Sequence, residues 1–169
     1  MSPELGPLLA ILFAAGRAVT PAELARGLGR PPEEVARLLD ELTARLADGE
    51  LGVRLERVAG GVRLVVHPDH AEAVRRALRP RPPRLSRAAL EVLAVVAYHQ
   101  PVSKAEIDAA RGKDSAAVLE GLLERGLIEA VGKHPRRYRT TPRFLELFGL
   151  ESLDDLPPPP GGGLPAMRD

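Results

Sequence analysis

Few residue clusters in this chain have the types and spacing that chemistry requires. His67 and His70 flank Pro68-Asp69, which sets two imidazoles and one carboxylate close together. A zinc site needs three or four nitrogen, sulfur or oxygen ligands, and the chain has no cysteine, so a histidine pair at a helix start is the preferred reading. Gly112-Lys113 followed by Asp114-Ser115 has the outline of a phosphate-binding loop, but the glycine such a loop needs at position 107 is Ile107. Asp154-Asp155 lies in a short polar segment before prolines, with no base nearby in sequence, and reads as a cap on a domain end rather than an acid–base pair. His99 ends an apolar helical run, where an imidazole interacts favourably with the helix dipole. These residues supply no catalytic site, no metal site and no cofactor site, and binding is the expected mode of action.

The basic clusters have two readings. Lys133, Arg136, Arg137 and Arg139 gather in one short stretch, and Arg79, Arg81 and Arg84 in another. Such groups can touch phosphate without reading sequence. The plainer alternative, a solvated hairpin and a soluble linker, is favoured. The formal net charge of +1 neither demands nor excludes a nucleic-acid partner.

The elements that must position these groups follow from composition and periodicity. Apolar residues make up 44% of the 169, with no Trp and few other aromatics, so any core is built from Leu, Val and Ala. Leu and Ala are strong helix formers, and a mainly α fold follows. Leu5 to Ala15 reads as a helix with Leu8, Leu9, Leu12 and Phe13 on one side. Thr20 is an N-cap, Pro21 the first helical residue and Glu23 the partner in a capping box, and that helix stops at Gly27 or Gly29. A third helix runs from Pro32 to about Asp48, with Val35, Leu38, Leu39, Leu42 and Leu46 on one face. Two β-prone runs about Gly60-Gly61 predict a hairpin, and Asp69 to about Leu78 a closing helix. Three helices and a hairpin make a winged helix.

The order then repeats. Ser86 to His99 is a helix carrying Leu90, Leu93, Val96 and Ala97. Val102-Ser103-Lys104-Ala105-Glu106-Ile107 matches Val19-Thr20-Pro21-Ala22-Glu23-Leu24 in cap, glutamate and apolar positions. Asp114-Ser115 is expected to cap a third helix with Val118, Leu119, Leu122 and Leu123, which ends at Gly126. Ile128 to Gly132 and Tyr138 to Thr141 form the second wing, and Pro142 to Phe148 a last helix. The fold class is therefore mainly α with small β-hairpin wings, as tandem winged-helix (helix-turn-helix) domains. Residues 1–78 form the first domain, 79–85 a stiff Pro/Arg linker, 86–156 the second domain and 157–169 a disordered tail. The opening Met1-Ser2-Pro3-Glu4-Leu5 lacks the basic stretch of a secretory signal, and Leu8 to Ala15 is too short to span a bilayer. A cytoplasmic protein with no membrane contact is expected.

A DNA-reading helix needs Arg, Lys, Asn or Gln in its leading turns. The first third helix opens Pro31-Pro32-Glu33-Glu34, whose carboxylates repel phosphate, and the second opens Asp114-Ser115-Ala116-Ala117. Sequence-specific readout is expected from neither, which argues against the alternative of a winged-helix transcriptional regulator.

Leu85-Ser86-Arg87-Ala88-Ala89-Leu90-Glu91-Val92-Leu93-Ala94-Val95-Val96-Ala97-Tyr98-His99-Gln100-Pro101-Val102-Ser103, Ala105-Glu106-Ile107, Arg111-Gly112-Lys113-Asp114-Ser115 and Leu122 to Ile128 resemble the segregation and condensation protein B family. So do Tyr138-Arg139-Thr140-Thr141, Phe144-Leu145, Phe148-Gly149-Leu150 and Ser152 to Pro157. The resemblance implies a non-catalytic homodimer joined through the first domain, cytoplasmic and nucleoid-associated. It implies binding to a kleisin, segregation and condensation protein A, which bridges the heads of an SMC ATPase in chromosome condensation and segregation. The family's second wing usually carries a longer insert, whereas Lys133-His134-Pro135-Arg136-Arg137 is a short basic connection here. On this reading Leu8, Leu12 and Phe13 are candidates for the dimer contact, and Tyr98, Leu119 and Leu123 for a groove receiving an amphipathic kleisin helix. Packing within the domain is the competing reading for each. Lys133, Arg136, Arg137 and Arg139 are candidates for weak, non-specific DNA contact.

Overall fold

The computed structural model describes residues 3–78 and 84–158. Most of the expected linker (79–83) and of the expected tail (159–169) lies outside the described residues. The chain divides into two units, Met1–Pro82 with Gly149–Ser152, and Pro83–Phe148 with Leu153–Asp169.

In the first unit α1 (Leu5–Ala15), α2 (Pro21–Leu28) and α3 (Pro32–Leu46) precede the hairpin β1 (Val53–Val58) and β2 (Gly61–Val66), and α4 (Ala71–Leu78) closes it. Thr20 Oγ1 accepts from the Glu23 N–H while the Glu23 carboxylate accepts from the Thr20 N–H, which satisfies two donors at the start of α2. All five residues expected on the inner face of α3 are buried, and they pack with Leu5, Leu8, Leu12, Val19, Leu24 and Val62. Leu24 is 0% exposed, a burial worth about 1.5–3 kcal/mol.

The wing turn lies one residue earlier than expected. Val58 pairs with Gly61, so the two-residue turn is Ala59-Gly60, with φ of 52° and 70°. Positive φ at both central residues defines a type I′ turn, whose twist suits a hairpin. Gly61 instead lies in β2, where a β-carbon would sit 2.6 Å from the Val19 carbonyl oxygen. That close approach lets Val19 exchange two backbone hydrogen bonds with Val62, each 2.9 Å. Of the two adjacent glycines, one serves the turn and the other the packing.

The second unit has α5 (Arg87–His99), β3 (Val102–Ser103), α6 (Lys104–Arg111), α7 (Ala116–Glu124), β4 (Ile128–Val131), β5 (Arg137–Thr140) and α8 (Pro142–Phe148). Its sheet order is β3-β5-β4, antiparallel throughout, with Val102 opposite Tyr138. Val102 thus holds the position against its wing that Val19 holds in the first unit. The Ser103–Glu106 capping box likewise repeats that of Thr20–Glu23. Ile107, the counterpart of Leu24, is also 0% exposed. Along α5 the buried set is Ala89, Val92, Leu93, Val95, Val96 and Ala97, while Leu90 is 45% exposed. Apolar residues surround most of this helix, so periodicity alone misplaced Leu90.

Candidate partner-binding surfaces

Among the described residues, the first turn of neither third helix carries a base-reading donor. At α3, Pro31 takes the N-cap position, and Glu33 and Glu34 occupy the first turn, where the helix dipole favours them. Arg30, just ahead, is drawn to Glu34 at 3.6 Å and to Glu4. At α7 the cap is made by Asp114, whose Oδ2 accepts from the Ala116 N–H at 3.2 Å. Ser115 was expected to share that cap, but its side chain makes no cap bond and is 0% exposed. Its hydroxyl accepts from Arg111 Nη1 at 2.7 Å.

Arg111 is the residue that the sequence reading missed as an organiser. Its side chain is 4% exposed and reaches Glu91 on α5 at 3.3 Å, the Asp114 carbonyl and Ser115. It thereby ties α5, the end of α6 and the start of α7 into one polar cluster. Lys104 extends the network, with Nζ 2.5 Å from Asp108 and 2.6 Å from Asp114. Hydrogen bonds to Asp108 and then Asp114 push the Lys104 ammonium up to about 12, and the same contacts hold both carboxyls below their ordinary range. Only the Lys104–Asp108 pair, four residues apart on α6, follows a local spacing; the contact of Arg111 with Glu91 forms only once α5 and α6 are packed.

Ion pairing divides the basic wing. Arg137 faces Glu106 at 3.4 Å and donates to the Pro101 carbonyl, and Arg139 meets Glu129 at 2.6 Å. Lys133 and Arg136 are exposed and without a carboxylate among the described residues, Arg136 lying over the Tyr138 ring 5.6 Å from its centre.

The apolar candidates also divide. Leu8 and Leu12 are 0% and 1% exposed, spent in the first unit's own core, whereas Phe13 is 81% exposed. Phe13 borders a surface cavity of about 230 Å³ whose lining is mostly apolar, from Leu12, Val53, Leu64, Val65 and Val66, with Gly16, Arg17 and Arg63 also against it. In the second unit Leu119 is core, Leu123 is half-buried, and half-buried Tyr98 donates its hydroxyl to the Pro157 carbonyl.

His67 accepts from the Asp69 N–H, and His70 Nε2 bonds the Gly49 carbonyl at 2.9 Å, so both rings pin local backbone. Among the described residues no three His, Cys, Asp or Glu side chains gather as metal ligands, and no helix is long and apolar enough to cross a membrane. Asp154 and Asp155 fall in a short 3₁₀ turn, Leu153–Asp155.

Two capped helix-turn-helix units, each backed by a wing, define a tandem winged-helix protein. The model of the segregation and condensation complex subunit ScpB family matches residues 7–159. Segregation and condensation protein B of Syntrophotalea carbinolica is 47% identical over 153 residues, covering 88% of this chain and 78% of the relative. That of Moorella thermoacetica is 44% identical with the same coverage. The crystal structure of ScpB from Mycobacterium tuberculosis aligns at 36% identity over 86% of this chain and 94% of its own, with a TM-score of 0.42. The chain belongs to the ScpB family of chromosome segregation and condensation proteins.

Proposed function

We propose that the chain is a non-catalytic subunit of a bacterial SMC–kleisin complex, cytoplasmic and nucleoid-associated, which binds the kleisin segregation and condensation protein A as a homodimer. The observation that carries this reading is the family match across residues 7–159, which takes in both units. Contact with the SMC ATPase runs through the kleisin, and the outcome is chromosome condensation and segregation. The first unit supplies the dimer contact. Phe13 supports this assignment, because a phenylalanine 81% exposed beside a mostly apolar cavity stays in water at a cost that a second copy would remove. The second unit receives the kleisin. DNA is touched weakly and without sequence preference, through Lys133 and Arg136 of the second wing.

The sedimentation-equilibrium mass of the purified chain tests the dimer. The expected value is twice 18.1 kDa, reduced to the single-chain mass by Phe13→Glu. A monomeric wild type would remove the dimer from the proposal. A dimer untouched by Phe13→Glu would move the contact elsewhere. Tight binding to one duplex sequence over others would favour a transcriptional regulator instead.

A further inference from the structure

The first unit is not made of one continuous stretch of chain. It takes in Met1–Pro82 and then Gly149–Ser152, four residues that follow α8 of the second unit. Both flanks of that segment are anchored in the second unit. Phe144 of α8 is buried there, and the Pro157 carbonyl accepts from the Tyr98 hydroxyl. The chain therefore leaves the second unit for four residues and goes back to it.

What the segment meets is the turn of the first wing. The Ala59 N–H donates to the Leu150 carbonyl at 2.8 Å, and the Gly60 N–H donates to the Glu151 carbonyl at 3.1 Å. Ala59 and Gly60 are the two central residues of the type I′ turn. A hairpin's own ladder makes no use of those amides, which must otherwise bond to water. Two successive donors facing two successive acceptors make a docked backbone segment rather than a chance contact. Gly149, at φ 67° just past α8, supplies the left-handed residue that stops the helix and frees the next carbonyls for this contact. Val58, beside the turn, is fully buried, although strand alternation places it on the face opposite Val53 and Leu55, which pack on the core. This end of the wing is thus enclosed on its outer side as well.

The hold is nevertheless light. Gly149 and Glu151 are exposed, and Leu150 and Ser152 are half-buried. Val19 and Val62, which bond to each other further along the same wing, are both buried. A segment held by a few solvent-accessible bonds opens far more readily than the core beside it.

We infer that Gly149–Ser152 is a releasable latch on the first wing. Closed, it returns the chain beyond α8 to the first unit and limits the motion of one unit against the other. Open, it leaves residues 79–85 to carry that link. The latch works within one chain and needs no partner to close it.

Amide hydrogen exchange of the full chain, followed by NMR, tests the latch. In the wild type the Ala59 and Gly60 amides should exchange at least about tenfold more slowly than unbonded amides, yet at least about tenfold faster than that of Val62, which bonds to Val19. Leu150→Ser keeps both acceptor carbonyls and removes the half-buried side chain. It should bring Ala59 and Gly60 close to unbonded rates and leave Val62 unchanged. Backbone nitrogen relaxation on the same samples should show the two units tumbling more independently in the variant. Wild-type exchange at unbonded rates would mean that the latch does not close, and exchange as slow as that of Val62 that it does not open; either result overturns the inference. So would a Leu150→Ser protein with unchanged protection or unchanged tumbling. Should Leu150→Ser fail to fold, the wild-type rates decide alone.

Discussion

Gly61→Ala provides a sharp test of how the first unit is closed. The added β-carbon would lie 2.6 Å from the Val19 carbonyl oxygen and 2.8 Å from its carbon, both backbone atoms that cannot rotate aside. Reaching the 3.4 Å of ordinary contact requires the Val19 segment to retreat by about 0.8 Å, the difference between 3.4 and 2.6. The two hydrogen bonds between Val19 and Val62, now 2.9 Å, would then exceed bonding range. Each is worth about 0.5–1.5 kcal/mol net. Against this, alanine restricts the unfolded chain and returns about 0.4–1 kcal/mol. The balance is a destabilisation of about 1–2 kcal/mol, which lowers the melting temperature of a domain this size by about 4–15 °C. Urea unfolding followed by far-ultraviolet circular dichroism measures it. Gly121→Ala is the matched control: the same substitution in open space should stabilise by about 0.5–1 kcal/mol. A Gly61→Ala protein as stable as wild type would refute the argument that Val19 closes the wing.

Ala59→Asn creates the Asn-Gly pair that a type I′ turn favours and relieves a non-glycine residue held at φ 52°, so a stabilisation of about 0.5–1 kcal/mol is expected in the same assay. Arg111→Ala leaves Ser115 buried without its donor and unties Glu91, and should cost about 3 kcal/mol by chemical denaturation. The carboxyl of Glu23 is held at about 2, against 4.5, by hydrogen bonds from the Arg17 side chain and then from Thr20. Bonds from Ser103 also hold the Glu106 carboxyl low. The unfolded chain therefore binds more protons, so this stability is full above about pH 5 and is lost as pH falls through the window below 4.5 towards 2. Glu23→Gln/Glu106→Gln should flatten that acid limb in a pH series of melting temperatures, and an unchanged limb would contradict the assignment. With only Lys133 and Arg136 of the second wing unpaired, the slope of log affinity against log salt for a random duplex should be about −2 per chain, and a much steeper slope would implicate other cations.

The capping boxes were legible because their signature is local. A hydroxyl, then a glutamate three residues on, determines its own geometry, and it appears at Thr20–Glu23 and Ser103–Glu106 alike. The inner face of α3 was equally readable, since polar residues surround Val35, Leu38, Leu39, Leu42 and Leu46 and leave one apolar stripe. Legibility failed where that contrast is absent. Along α1 and α5 nearly every residue is apolar, so the sequence could not say that Phe13 and Leu90 face outward while Leu5 and Ala89 face inward. It failed again where one residue type serves two purposes: Gly60-Gly61 looks like a turn, yet Gly61 is there for Val19. The candidate surfaces were harder still. Leu8 and Leu12 look like Phe13 in sequence, and Arg137 and Arg139 look like Arg136, until packing shows which are already satisfied.

The central claim is that these two winged helices hold other protein chains. Native mass spectrometry of this chain co-expressed with the kleisin of the same genome measures that most directly. The account predicts a stable complex containing the kleisin and a pair of these chains. A lone 18.1 kDa species beside free kleisin would contradict it.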